Sequence, residues 1–303
     1  MVVLSPYASL LSALTVTQAQ VSVLGSTTHY WQYGEDDAVV TIIAVHGFRG
    51  EHHGLEPIVA HLRGVRVISP DLPGFGESSP LTEVEHSIAG YAAWLTAFVD
   101  ALGLVERPII LGHSFGSIVT SSAVAAGLQT PRLILINPIA APALSGPKAV
   151  LTWLTVQYYR LAAALPERAG FALLGNWFIV RFTSLAMVTT KRPALRRWIH
   201  FQHHTYFSRF SDRATVLAGF DASVTSDVSM AAPSITVPTL LIAADHDPIT
   251  SVRALHKLET LFADPRLVML RDVGHLIHYE RPAEAAAEIA AAVGARAVGG
   301  ATA

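Results

Sequence analysis

Residues 108–116 read Pro108-Ile109-Ile110-Leu111-Gly112-His113-Ser114-Phe115-Gly116, and the stretch that follows, Ser117–Ala126, is small and apolar. The run before Gly112 is short and rich in β-branched residues, as a buried strand requires, while Ser117–Ala126 suits a helix packed on a sheet. A serine between two glycines, at the joint of a strand and a helix, sits on a strained turn. Side chains at positions 112 and 116 would collide with the flanking elements, and the amino end of the following helix favours negative charge developing nearby. G-x-S-x-G in this setting predicts a nucleophile elbow with Ser114 at its apex.

Outward from the elbow, further strand-like runs stand at Leu14–Val23, Thr27–Tyr33, Val39–Val45, Val65–Ser69, Leu133–Asn137, Thr239–Ala244 and Arg266–Arg271. The first two alternate and are joined by Leu24-Gly25-Ser26, which predicts an antiparallel hairpin; most of the others are separated by helix-length segments, which predicts an α/β fold with a mostly parallel sheet. Val84, Ile88, Ala92, Leu95, Val99 and Leu102 fall at helical spacing and form one apolar stripe. Helices are also expected at Arg253–Leu261 and at Pro282–Val293, where Pro282 suits a first helical turn. One connection is far too long: about a hundred residues separate Pro138 from Val237, where a crossover needs only a dozen or more. The segment is helical in pattern, apolar and aromatic, and is read as a cap, residues 138–233, over a core of residues 1–137 and 234–303. Gly294–Ala303, rich in Ala and Gly, is expected to fray.

A serine hydroxyl is a weak nucleophile and needs a base that is itself oriented by a carboxylate. Gly274-His275 follows the last strand run and precedes the last helix, which makes His275 the candidate base, with His278 as its rival. Asp245 and Asp247 follow the run ending at Ala244, on the edge where ligand-facing loops of a parallel sheet lie. Either satisfies the chain order serine, aspartate, histidine. His52-His53 and His203-His204 have no matching carboxylate or ligand spacing, so no metal site is expected.

Two further motifs complete the set: His46-Gly47-Phe48 after the third strand, and Asp71-Leu72-Pro73-Gly74-Phe75-Gly76-Glu77-Ser78 after the fourth. In this order, and over nearly the whole chain, the sequence resembles the α/β-hydrolase superfamily, specifically its one-domain members with a helical cap. The resemblance implies an α/β-hydrolase fold, an eight-stranded mostly parallel sheet with the cap inserted after strand six. It also implies Asp247 as the acid, three residues beyond Ala244, and the backbone N–H groups of Phe48 and Phe115 as oxyanion donors, with His46 supporting the turn. Some relatives carry the acid after strand six, where this chain has Asn137. Haloalkane dehalogenases and epoxide hydrolases use an aspartate at the elbow, and Ser114 departs from both. Carbon–carbon bond hydrolases keep the serine, yet often have Asn where His113 stands and Trp where Leu276 follows the base.

The implied activity is that of a serine hydrolase acting on a lipophilic carboxylic ester or thioester, with Ser114, His275 and Asp247 as its triad and no cofactor or metal. Trp153, Tyr158, Trp177, Phe178, Phe182 and Trp198 of the cap are expected to line the pocket. Two alternatives remain: hydrolysis of a dienoate-type diketone, which asks for a carboxylate-binding arginine such as Arg160 or Arg181 facing Ser114, and a ligand-binding receptor that kept the triad.

Composition closes off other classes. The 303 residues are 51% apolar and 15% charged, with no cysteine and a net charge of -2. Without cysteine there is no disulfide framework, thiolate metal site or thiol nucleophile. Near-neutral charge with Lys and Arg scattered along the chain lacks the footprint of a nucleic-acid binder. The mean hydropathy of +0.41 is high, but the opening stretch is broken by Ser, Thr, Pro and Gln and has no basic n-region, so neither a spanning helix nor a secretory signal is read there and a cytoplasmic location is expected.

Overall fold

Each apolar run forms a strand: β1 (Val16–Val23), β2 (Ser26–Tyr33), β3 (Val40–Val45), β4 (Val65–Pro70), β5 (Ile109–His113), β6 (Leu133–Ile136), β7 (Thr239–Ala244) and β8 (Pro265–Leu270). The structure is a computed structural model and describes residues 3–35, 37–141 and 149–298. The strands make one eight-stranded sheet in the order β1-β2-β4-β3-β5-β6-β7-β8. β2 is antiparallel to β1 and β4, and the remaining pairs are parallel. The hairpin turns on Leu24 and Gly25, both with positive φ (48° and 76°), the primed geometry that matches the twist of two flanking strands.

The central strands are buried at nearly every position, and their side chains enter the two faces of the sheet alternately. Ile43, Val45, Ile110, Leu133, Leu135 and Leu241 enter the core on one face, and Ile42, Ala44, Ile109, Leu111, Ile134 and Leu240 enter it on the other. Each large side chain among them contributes about 1.5–3 kcal/mol on burial. The first face is covered by α1 (Ile88–Ala101) and α2 (Phe115–Ala125). The expected stripe from Val84 starts its helix only at Ile88, because the Ser87 side chain accepts from Gly90 N–H and caps the helix there, as a good N-cap residue does.

Between β6 and β7 stand α3 (Ala149–Ala164), α4 (Glu167–Leu174), α5 (Trp177–Met187), α6 (Pro193–Tyr206) and α7 (Arg213–Thr225). α8 (Val252–Glu259) follows β7, and α9 (Pro282–Val293) ends at Gly294 in the left-handed conformation. The frayed tail expected from Gly294 is corrected in its first part: Arg296–Ala297 pair with Leu62–Arg63, and Val298 N–H donates to His61 O. Residues 299–303 lie outside the described part. Because β3 to β8 run parallel, the loops after β3, β5, β7 and β8 meet at one edge of the sheet, and these loops carry His46, Ser114, Asp247 and His275.

Candidate active site

Ser114 has φ 54° and ψ -118°, a conformation that costs a non-glycine residue about 1–3 kcal/mol and persists only where its surroundings over-determine it. They do so here. Ser114 N–H donates to Ile136 O at 3.0 Å, and Ser114 O accepts from Ser117 N–H at 2.8 Å and from the Ser117 hydroxyl at 2.5 Å. The two glycines are required by packing. A Cβ on Gly112 would stand 2.3 Å from Thr120 Oγ1 and 2.4 Å from Gly116 O, and one on Gly116 would stand 2.4 Å from Val45 O.

Ser114 Oγ lies 2.7 Å from His275 Nε2, and His275 Nδ1 lies 2.7 Å from Asp247 Oδ2. With Nδ1–H donating to the carboxylate, Nε2 is left to accept from the serine hydroxyl. Burial by itself raises the Asp247 pKa, but His275 and the N–H groups of Ile249 and Thr250 outweigh it and hold the carboxyl below its ordinary value. The rivals make other contacts. Asp245 accepts from Val273 N–H at 3.5 Å and faces His246, and His278 packs its ring 4.1 Å from that of His113.

His46 Nδ1 donates to Gly47 O at 2.8 Å while its Nε2 accepts from Leu72 N–H at 2.8 Å. Burial lowers its pKa, against the pull of Asp71, so the neutral ring pins the turn after β3. That turn is pressed onto the elbow: a Cβ on Gly47 would stand 3.2 Å from Ser114 Cβ. Phe48 follows Gly47, and Phe115 opens α2, where an N–H has no intrahelical acceptor. In the loop after β4 the glycines serve backbone geometry, since Gly76 has φ 57° and a Cβ there would stand 2.0 Å from Asp71 Oδ2.

Over Ser114 lies a cavity of about 210 Å³ whose apolar wall includes Phe48, Leu55, Val180, Met187 and Phe207, with Glu51, Thr183, Ser184 and His203 as polar members. The six aromatics of the segment between β6 and β7 do not line it, which corrects the expectation. Trp153, Trp177, Phe178 and Phe182 are exposed. Tyr158 spends its hydroxyl on Leu173 O, and Trp198 is buried in a separate cluster with Val188, Leu195 and Leu276. Aromatic content reports apolar surface but not the direction in which a helix turns it. The lining from α5 does carry a signal, since Val180, Thr183, Ser184 and Met187 have the i, i+3, i+4, i+7 spacing of one helical face. Arg160 is exposed, and neither it nor Arg181 lines the cavity.

Sequence reasoning also missed Arg49. Buried at φ 59°, directly after Phe48, it donates to Leu174 O at 2.7 Å and Phe207 O at 3.1 Å, and its guanidinium lies 4.6 Å from the centre of the Phe207 ring. It ties the turn after β3 to the inserted helices. The expectation that His52-His53 lack carboxylates is corrected too: His52 Nδ1 stands 2.9 Å from Asp71 Oδ1, and His53 Nδ1 bonds Glu51. Glu51, His52 and His53 bring possible ligand atoms within 4.8 Å of one another. However, the His52 Nδ1 donor is committed to Asp71, and its ring is stacked 3.3 Å from Trp31, so the trio is already held as a hydrogen-bonded network.

Residues 42–289 match the model of the alpha/beta hydrolase family, and the chain belongs to that family. It is 24% identical over 255 residues to Lipase 3 of Moraxella sp. (strain TA144), covering 80% of this chain and 75% of that protein. It is 25% identical over 312 residues to Epoxide hydrolase A of Mycobacterium tuberculosis (strain ATCC 25618 / H37Rv), covering 90% of this chain and 96% of that one. In fold it is similar to the enol-lactonase from Burkholderia xenovorans LB400, with a TM-score of 0.73 and 21% identity over 91% of this chain and 100% of the other.

Proposed function

We propose that this hydrolase cleaves a carboxylic ester, or a thioester, with a lipophilic moiety, through an acyl-enzyme on Ser114. The observation that carries the reading is the unbroken hydrogen-bonded chain from Ser114 Oγ through His275 to Asp247 Oδ2 beside a largely apolar cavity. In the mechanism, Ser114 Oγ attacks the carbonyl carbon as His275 Nε2 takes its proton, and Asp247 stabilises the imidazolium. The N–H groups of Phe48 and Phe115 receive the oxyanion, each donor of this kind contributing about 2.7–4 kcal/mol in related chemistry. His275 returns the proton to the leaving alcohol or thiol, then activates water to release the acid. Lipase 3 supports the ester reading by likeness. Ser114 stands where the epoxide-hydrolase pattern has an aspartate, and the diketone reading finds no Arg160 or Arg181 in the cavity wall to clamp a carboxylate.

The test is steady-state hydrolysis of p-nitrophenyl esters of increasing acyl length, alongside matched thioesters. Each methylene entering the apolar wall contributes up to about 0.8 kcal/mol when its burial is realised in the transition state. Efficiency is expected to rise from acetate to at least hexanoate with many turnovers per chain. A single acylation without turnover would favour a receptor, and a series that declines from acetate onward would contradict the lipophilic substrate.

A further inference from the structure

Helix α5 divides into two faces. At 100° per residue, Val180, Thr183, Ser184 and Met187 fall on one arc, and all four line the cavity above Ser114. The opposite arc carries Phe178, Phe182 and Leu185, which are 74%, 64% and 44% exposed, with Arg181 beside them, and Trp177, 56% exposed, stands at the border of the two arcs with its ring stacked on His204. A helix whose two faces are both apolar belongs in a core, yet here one of them is largely open to solvent.

The near-zero net charge of the chain hides an asymmetry around this helix. Residues 149–211 hold eight Lys and Arg against one acidic residue, Glu167, a net charge of +7, while the rest of the chain carries -9. Glu167 is itself paired with Arg213 at 2.8 Å. Among the described residues no carboxylate stands within ion-pair distance of Arg181, Lys191, Arg196 or Arg197. The cationic character is felt locally: burial and then Arg181 and Arg196 push the His200 pKa down to about 4.

Exposed Trp, Phe and Leu interleaved with basic side chains have the chemistry of a helix that lies in a membrane interface, apolar groups sunk among the acyl chains and cations toward anionic headgroups. Crossing the bilayer is a different matter. Residues 167–187 are apolar enough in composition to span, but Gly175 and Asn176 interrupt them, and Asn176 Oδ1 accepts from Phe178 and Ile179 N–H to start α5 afresh. Its 11 residues extend only about 16 Å, half the hydrocarbon thickness.

We propose that the outer face of α5 docks this protein on an anionic phospholipid surface. The partner is identified by charge complementarity and by the aromatic face; a second copy of the chain is the alternative that the test separates. If the ester reading also holds, docking brings the cavity side of the same helix to where lipophilic esters partition. Binding itself does not depend on that reading.

The test is co-flotation of the S114A chain, which cannot turn over lipid by the proposed route, with vesicles of equal parts phosphatidylglycerol and phosphatidylcholine at about 0.05 M salt. Binding is expected there and at least about tenfold weaker on phosphatidylcholine alone. F178S/F182S should weaken partition by about tenfold or more, R181E severalfold on anionic vesicles only, and the Trp177 emission should shift to the blue on binding. In the Ser114-containing chain, F178S/F182S should leave hydrolysis of a soluble short-chain ester unchanged, which separates this proposal from the ester reading. Absent binding to anionic vesicles, or equal binding by F178S/F182S, would overturn the proposal. So would a dimer in sedimentation equilibrium that F178S/F182S converts to monomer, which would assign the face to a second copy.

Discussion

Asn137 donates its side-chain amide to Asp247 Oδ2 at 3.0 Å, the same oxygen that meets His275 Nδ1 at 2.7 Å. Asn137 directly follows β6 at φ 46° and is fixed there by its N–H bond to Ile242 O at 2.8 Å. The position after β6 is therefore occupied by a neutral donor hydrogen-bonded to Asp247 in the loop after β7. Two carboxylates at this separation would repel or share a proton.

That relationship predicts a swap. Asn137→Asp alone should lower kcat by about tenfold or more, because one of the two acids must take up a proton. In the Asp247→Asn background the same change should recover about tenfold, since a carboxylate again stands beside His275. Stopped-flow ester hydrolysis by the three variants checks it; no recovery in the double variant would show that the position after β6 cannot reach His275.

The two aspartates of the β7 loop should separate cleanly. Asp247→Asn should reduce kcat by roughly 10⁴, the size of the corresponding effect in a Ser-His-Asp protease triad, through loss of imidazole orientation. Asp245→Asn, removing a long contact to Val273 N–H and a partly exposed pairing with His246, should cost less than about tenfold. The reverse ranking would move the acid to Asp245.

Arg49 should matter for both stability and turnover. Arg49→Ala strips hydrogen bonds from the carbonyls of Leu174 and Phe207 and should destabilise the chain by about 2–4 kcal/mol. Because Phe48 precedes it, kcat should fall by about tenfold with little change in KM. Arg49→Lys should not restore activity, since an ammonium cannot reproduce the planar fork. Denaturation curves and steady-state kinetics on both variants decide this.

The sheet was readable because each strand is a local run of β-branched residues, and the elbow because two glycines and a serine must coincide at a strand end. Asp247 over Asp245 rested on resemblance, since both follow Ala244 and only the geometry of the loop brings one to His275. The lining of the cavity was not readable. The spacing of Val180, Thr183, Ser184 and Met187 puts them on one face of α5, but both faces hold apolar residues, so the spacing does not say whether that face or the one with Phe178 and Phe182 turns inward. Arg49 and Glu51 are buried and meet partners more than a hundred residues away, among them Leu174, Phe207 and Arg209, and charged residues in a loop carry no local sign of that.

Stability should fall as the solution is made acidic. His113 is pushed down to about 3 by burial and by His275, and His278 well below its ordinary value by burial and by His113. Each folded pKa lies under its unfolded value of about 6.5. Below that pH the unfolded chain binds protons that the folded chain does not, so their stabilisation is complete above about pH 6.5 and is lost progressively toward pH 3, at up to about 1.4 kcal/mol per pH unit for each histidine. The Tm should drop from pH 7 to 5, less steeply in His113→Asn; a flat profile would contradict neutral, buried imidazoles.

If Ser114 carries the acyl group, hydrolysis by Ser114→Ala together with intact-mass labelling by an alkyl fluorophosphonate shows it. The wild-type chain should gain one adduct, mapped to Ser114, and lose activity in parallel. Ser114→Ala should fold normally, take no label and hydrolyse esters on the order of 10⁶-fold more slowly, because removing the nucleophile disables the triad as a unit. A variant that kept a tenth of the wild-type kcat, or a label found on another residue, would rule out Ser114 as the nucleophile.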